Sequence, residues 1–336
     1  MSTRRHFLQT AAVTTISSNL KASSMDQTAS TSIPKRPLGR SGLNVSILGV
    51  GGFHVGSAEN LDEATSIVQQ ALDAGLNFFD NAWEYHDGKS EEWLGHALGS
   101  RRNEAVLMTK VCTHGRDKKL AMQMLEQSLR RLRTDHLDVW QIHEVIYDND
   151  PDLIFRAGGA AEALLEAKQQ GKVRLIGFTG HKDPSIHLKM LSHGFPFDTV
   201  QMPLNAFDAT FRSFQHLVLP EAQKQGITVL GMKSLGGSGE MVTQGGITVK
   251  DALSYAMSLP VATTISGMNT LEILKQNLEI VSKFEKLSAS QMADIEKRCK
   301  GEAGDGHLEL FKTTVKYDGK VGRQQHEYPD VEKLPV

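Results

Sequence analysis

Four residues of this sequence carry groups that exchange protons, and each lies at or just past the end of a short apolar run: Asp80, Tyr85, Lys110 and His143. Asp80 and Tyr85 fall in "FFDNAWEYHDGKSEEWLGHAL" (78–98), which begins like a buried strand and ends like a helix. Lys110 lies next to the end of "AVLMTKV" (105–111) and His143 closes "LDVWQIH" (137–143). Each alone has a bland reading: Asp80 caps a turn, Tyr85 packs, a strand-end lysine snorkels, a lone histidine is a core or loop residue. Together they make a proton source. A free phenol titrates near roughly 10 and is a weak acid at neutral pH, but an adjacent ammonium stabilises the phenolate and lowers that value. A carboxylate paired with the ammonium holds it in place, and an imidazole donates a hydrogen bond that orients an acceptor oxygen. This chemistry requires three separate strand ends to meet at one place.

The elements that would bring them there alternate regularly from residue 40 onward. Strand-length apolar runs lie at 45–50, 77–80, 105–111, 137–143, 173–179, 198–202, 227–232 and 263–267. Helical stretches lie near 61–74, 90–98, 118–132, 159–170, 184–192, 212–225, 249–258 and 270–284, and Pro220 is expected to break or kink the sixth. Gly75, Gly171 and Gly226 stand at helix C-termini before the next strand. Apolar strands alternating with helices argue for a parallel sheet covered by helices. Eight such units in about 240 residues favour an α/β fold of the closed (β/α)8 TIM-barrel type, with an open doubly wound sheet as the alternative. In a barrel, chemistry sits at the C-terminal ends of the strands, and Asp80, Tyr85, Lys110 and His143 share one mouth. The glycine pattern of "GVGGFHVG" (49–56) fits close backbone approach there as well as it fits a dinucleotide fingerprint.

The loop "DNAWEY", the lysine of "VLMTKV" and the histidine of "WQIHE" resemble, in order, the Asp, Tyr, Lys and His tetrad of the aldo-keto reductase family. The similarity runs from about residue 36 to about residue 300 and includes the helix "GKSEEWLGHAL". It implies a barrel that binds NADP(H) or NAD(H) across its mouth and reduces a small-molecule carbonyl. Hydride goes to carbon, and Tyr85 gives the proton to oxygen. By the same resemblance, Gly52, Phe53 and Asp80 lie against the cofactor, while Thr179, Gly180 and Gln201 hold the carboxamide of the nicotinamide. Gly180 departs from the family's usual asparagine, and Met232 stands where an aromatic ring usually stacks. Lys233, Leu235 and Gly237 would line the pyrophosphate, and Gly267, Asn269, Gln276 and Asn277 the adenosine end. Ile273 stands where many NADP-dependent relatives place Arg or Gln, which weakens the preference for NADP. NADP(H) is still favoured on the resemblance, with NAD(H) as the alternative. Some members of the family bind the cofactor chiefly as redox-sensing or channel-associated subunits, so a sensor with little turnover is the second function class.

Composition sets the outer bounds. With 336 residues, 40% of them hydrophobic, and a formal net charge of -2, the chain is long enough for a large core and carries no basic footprint for nucleic acid. Two cysteines, Cys112 and Cys299, without a C-x-x-C pair build no thiolate metal site, and they are expected to be free thiols. A metal-dependent barrel hydrolase using His86, His114, His143 and His181 is a third reading, set aside because the strand ends carry no H-x-H pair and few carboxylates. No metal is expected.

The first 32 residues differ in kind: "STRRHFLQT" (2–10) places Arg4 and Arg5 before Phe7 and Leu8, and a short apolar run and a Ser/Thr/Ala-rich stretch follow. This resembles a twin-arginine export signal, too short and interrupted to span a membrane. Residues 1–32 are therefore expected to be a leader and 33–336 a single barrel with a C-terminal tail. The implied partner is the export machinery and the implied location the periplasm, with the cytoplasm as the alternative. Substrate choice is expected to lie in the loop after the fourth strand and in the tail, with Phe53, Trp83 and Tyr147 as an apolar wall.

Overall fold

Alternation along short strands is what builds this molecule, because side chains two apart share one face. The computed structural model describes residues 32–112 and 116–333, all within one unit, Ser32–Val336. Residues 1–31 of the expected leader and His114 lie outside the described residues.

The strands are β1 (Lys35–Pro37), β2 (Asn44–Ser46), β3 (Leu48–Gly51), β4 (Phe78–Asp80), β5 (Val106–Cys112), β6 (Leu137–His143), β7 (Val173–Thr179), β8 (Thr199–Pro203), β9 (Thr228–Met232) and β10 (Thr263–Gly267). Eight of them, β3 to β10, close into a parallel barrel in sequence order, with β10 pairing back onto β3. The fold is the (β/α)8 barrel. The apolar run 45–50 divides between two strands, β2 and β3. The first of these pairs antiparallel with β1, and this hairpin places Leu38 and Val45 in the same cluster as Phe78, Val106, Met108, Val139, Leu175, Leu230 and Ile265. Those residues are the barrel's inner filling, and the hairpin stoppers it. The intervening strand residues, such as Phe79, Leu107, Trp140, Ile142, Ile176 and Val200, face the helical layer instead.

The helices fall where the 3.6-residue pattern predicts. The helices Leu61–Asp73, Lys118–Arg131 and Leu271–Ser282 begin on Asn60, Asp117 and Thr270, whose side chains accept backbone N–H groups of the first turn. Of the break or kink expected at Pro220, the break does not occur: the helix Phe214–Lys224 runs through it. Proline removes one backbone hydrogen bond there, but Phe214, Val218, Leu219 and Ala222 bury a continuous face, and tertiary packing outweighs the single lost bond. Among the described residues no helix is long and apolar enough to cross a membrane.

After the helix Ala289–Ala303 the chain turns back over the barrel mouth. Its anchor is Lys312, wholly buried, whose Nζ lies 2.6 Å from Asp208 and 2.9 Å from Glu309 and donates to the Phe211 carbonyl at 2.7 Å.

Candidate active site

Strand parity sets the site. Asp80 shares a face with Phe78, Lys110 with Val106 and Met108, and His143 with Val139, all inner-filling residues, so the same alternation that fills the barrel aims these three into its mouth. Lys110 pairs with Asp80, donates to the Asn81 carbonyl at 2.7 Å and to the Tyr85 hydroxyl at 3.4 Å. On the other side of that hydroxyl, His143 Nε2 stands at 3.5 Å. Tyr85 itself comes from a tight turn after β4 in which His86 and Asp87 both take positive φ, 53° and 56°. That turn is held by His86 Nε2 on the Phe53 carbonyl at 2.8 Å, and Phe53 packs edge-on to the Tyr85 ring. The four residues expected from sequence therefore meet within one hydrogen-bonded group.

The electrostatics differ from the expectation in one respect. The Tyr85 phenol is raised well above its ordinary value, first by burial and then by the carboxylates of Asp80, Glu84 and Glu144. The net direction is upward because burial and three acids outweigh the Lys110 ammonium, whose charge is paired directly with Asp80. Tyr85 is thus a fully protonated phenol across the neutral range. Burial lowers His143, with Glu84 opposing, so its imidazole is neutral. Glu84 Oε1 lies 2.5 Å from His143 Nδ1 but off the axis of a hydrogen bond.

The mouth opens into a cavity of about 970 Å³ that runs from Trp83, Glu84 and His143 past Lys233 to Asn269 and Gln276. Its far wall includes Tyr317 and Asp318 of the C-terminal segment. Tyr317 meets Ser238 Oγ at 2.6 Å and lies under the Lys233 ammonium, while Asp318 pairs with Lys182 at 2.5 Å.

Comparison with known proteins agrees with this geometry. The profile of the "Aldo/keto reductase family" matches residues 47–246. The chain belongs to the aldo/keto reductase family. It is 27% identical over 288 residues to the Bacillus subtilis oxidoreductase YqkF, covering 73% of this chain and 90% of that protein. The solved structure of the Bacillus halodurans aldo-keto reductase AKR11C1 in its holo form superposes with a TM-score of 0.68 at 24% identity, over 82% of this chain and 99% of that one. A Klebsiella pneumoniae aldo/keto reductase solved in complex with NADP and acetate superposes at 0.63 and 23% identity, over 76% of this chain and 92% of that one. The protein is an oxidoreductase of this family.

Within the aldo/keto reductase cavity, Phe53, Asp80, Thr179, Gly180, Met232, Lys233, Leu235, Gly237, Gly267, Asn269, Gln276 and Asn277 all line the wall, as does Ile273. Two residues expected there do not. Gly52 packs against β4, where a Cβ would meet the Asp80 carbonyl oxygen at 2.3 Å, so its glycine serves strand packing. Gln201 is wholly buried behind Asp80, its Nε2 3.5 Å from Oδ2. The glycine at Gly180 has a steric cause: a Cβ would lie 2.2 Å from the Val145 carbonyl oxygen, which leaves no room for asparagine. Tyr147 also leaves the expected apolar wall and packs on His326 and Tyr328.

Sequence reasoning gave no individual role to Glu84, Glu144, Ser234, Tyr317 and Asp318, all of which line the cavity, although Glu144 begins the loop after β6 and Tyr317 and Asp318 lie in the tail, the two segments expected to shape the pocket. Glu84 and Glu144 each adjoin a tetrad residue in the chain, a signal that was available. For Tyr317 and Asp318 the tail as a whole was expected at the pocket, but which of its residues dock there is not written in its local pattern. His86, His143 and His181 do line one cavity, but no two are adjacent on a strand.

Proposed function

We propose that this protein reduces the carbonyl of a small molecule with hydride from a nicotinamide cofactor, NADP(H) before NAD(H), and that Tyr85 supplies the proton. The observation that carries the reading is the Tyr85 hydroxyl between Lys110 Nζ at 3.4 Å and His143 Nε2 at 3.5 Å. An oxygen placed beside that hydroxyl has a proton donor and an imidazole on one side of it.

The cavity suits such a cofactor. Its volume lies at the upper end of the range for ligand sites, and Ser234 Oγ stands in its wall, buried and without a hydrogen-bond partner. A phosphate oxygen satisfies a hydroxyl of that kind. Ser234 and the Lys233 ammonium, which burial lowers to about 8, would hold the pyrophosphate, and Thr179 and Met232 the nicotinamide. When bound, the cofactor supplies the hydride. The chain's own residues do the rest: Tyr85 stays protonated until a developing alkoxide draws its proton, Lys110 and Asp80 fix the phenol's position, and the C-terminal segment screens the mouth from water. The NADP complex of the Klebsiella relative supports the ranking of the two cofactors.

Incubating the purified protein with NADPH or NADH and a panel of aldehydes and quinones tests the reading. Steady cofactor oxidation that falls by about 10²–10⁴ in Tyr85→Phe, with cofactor affinity nearly unchanged, is the expected result. Tight cofactor binding without turnover would instead make the protein a sensor.

A further inference from the structure

At the substrate end of the cavity, Glu84, His143 and Glu144 bring two carboxylates and an imidazole to one point. One donor atom from each lies within 4.8 Å of the other two. His143 and Glu144 are consecutive, and consecutive strand residues face opposite sides. The left-handed backbone at Glu144, φ 51°, breaks that alternation where β6 ends. Two further observations concern the donors themselves. Glu144 is only 7% exposed, and among the described residues no Lys or Arg lies within salt-bridge distance of it; its carboxylate accepts the Gly319 backbone N–H at 2.8 Å. His143 is 8% exposed, and its Nδ1 is aimed at Glu84 without an aligned hydrogen bond. A buried carboxylate and a buried ring nitrogen so placed are costly unless a cation or a proton completes them.

We propose that Glu84, His143 and Glu144 form a binding site for one divalent transition-metal ion of the zinc class. Two carboxylates balance the ion's charge, and a neutral imidazole adds a nitrogen donor, a set that suits borderline cations and not Mg²⁺, which takes oxygen alone. All three residues line the cavity, which gives an ion access to them. Of the lysines that act on this group electrostatically, Lys110 is already paired with Asp80, and Lys233 is felt by Glu144 without a salt bridge to it. Because Nδ1 is the donor and Nε2 is the atom beside Tyr85, the metal lies on the side of the ring away from the phenol.

The test measures binding directly and does not depend on turnover, so its failure is separate from failure of the reductase reading. The full chain, stripped with a chelator, is titrated calorimetrically with Zn²⁺ and with Co²⁺, and Mg²⁺ is tried as a competitor. One saturable equivalent per chain is expected, weakened by about 100-fold or more in both Glu84→Gln and Glu144→Gln, since loss of a ligand exceeds the effect of losing a supporting partner. The Co²⁺ form should show visible absorption bands that both variants lose. The amide introduced by Glu144→Gln retains an oxygen for the Gly319 N–H, and thermal unfolding without metal verifies that the variant folds. Zn²⁺ should raise the unfolding temperature of the parent and not of Glu144→Gln. Equal affinity and stoichiometry in parent and variants, displacement by Mg²⁺, or no saturable binding would each overturn the site.

Discussion

Replacing Lys312 by Met keeps most of the side chain's volume and removes one charge from the point where the C-terminal segment is tied to the barrel. Lys312, Asp208 and Glu309 are all buried, with N–O distances of 2.6 and 2.9 Å, so no water takes over the lost ammonium. Breaking a buried pair in this way costs about 3–5 kcal/mol. At roughly 2.1 cal/mol/K per residue over about 300 residues, unfolding entropy is about 0.64 kcal/mol/K, which converts that cost to a fall of about 5–8 °C. The loss should also depend on pH. Burial raises the Glu309 carboxyl to about 7, above its unfolded value. A group raised in the folded state contributes stability that is complete below its unfolded value and is lost as pH rises through the folded one. In the parent that decline runs from the unfolded carboxyl value up to about pH 7, and without Lys312 it extends higher, because the cation that favours the carboxylate has gone. Calorimetric unfolding of parent and Lys312→Met between about pH 5 and 8.5 measures both effects. A drop under about 1 °C at every pH would refute the idea that this buried pair anchors the segment.

Asp80→Asn removes the largest of the carboxylate influences on Tyr85 and leaves Lys110 unpaired beside the phenol, so the tyrosine should titrate lower; ultraviolet difference titration checks the direction, and an upward or absent shift contradicts it. Gly180→Ala should destabilise the β7 end, since its Cβ meets the Val145 carbonyl at 2.2 Å, with a cost of about 1–3 kcal/mol for overpacking; denaturant unfolding with an unchanged midpoint would show that the strand gives way freely. We propose export by the twin-arginine route, which predicts that cell fractionation finds the parent processed and outside the cytoplasm, and Arg4→Lys/Arg5→Lys unprocessed within it. An unprocessed N-terminus in both would leave a cytoplasmic enzyme.

The sequence by itself determined the barrel and the facing of Asp80, Lys110 and His143, because these rest on local periodicity, and the motif of the loop after β4 marked Tyr85. Apolar runs of strand length alternate with helical ones, and a side-chain period of two puts Lys110 on the face of Met108 and His143 on that of Val139 before any contact is known. Even where Pro220 misled, the helix itself was legible. Only the tertiary structure decided what surrounds the tetrad. Whether Lys110 lowers the Tyr85 phenol depends on how many acids share its buried space, and Glu84 and Glu144 join Asp80 there only once the strand ends of β4 and β6 are gathered at one mouth. Gly180 looked like a lost amide until the Val145 carbonyl was seen to fill the room of its Cβ. The placement of Tyr317 over Ser238, 79 positions away, has no local signature. Packing at long range sets such contacts, and short-range pattern carries no record of it.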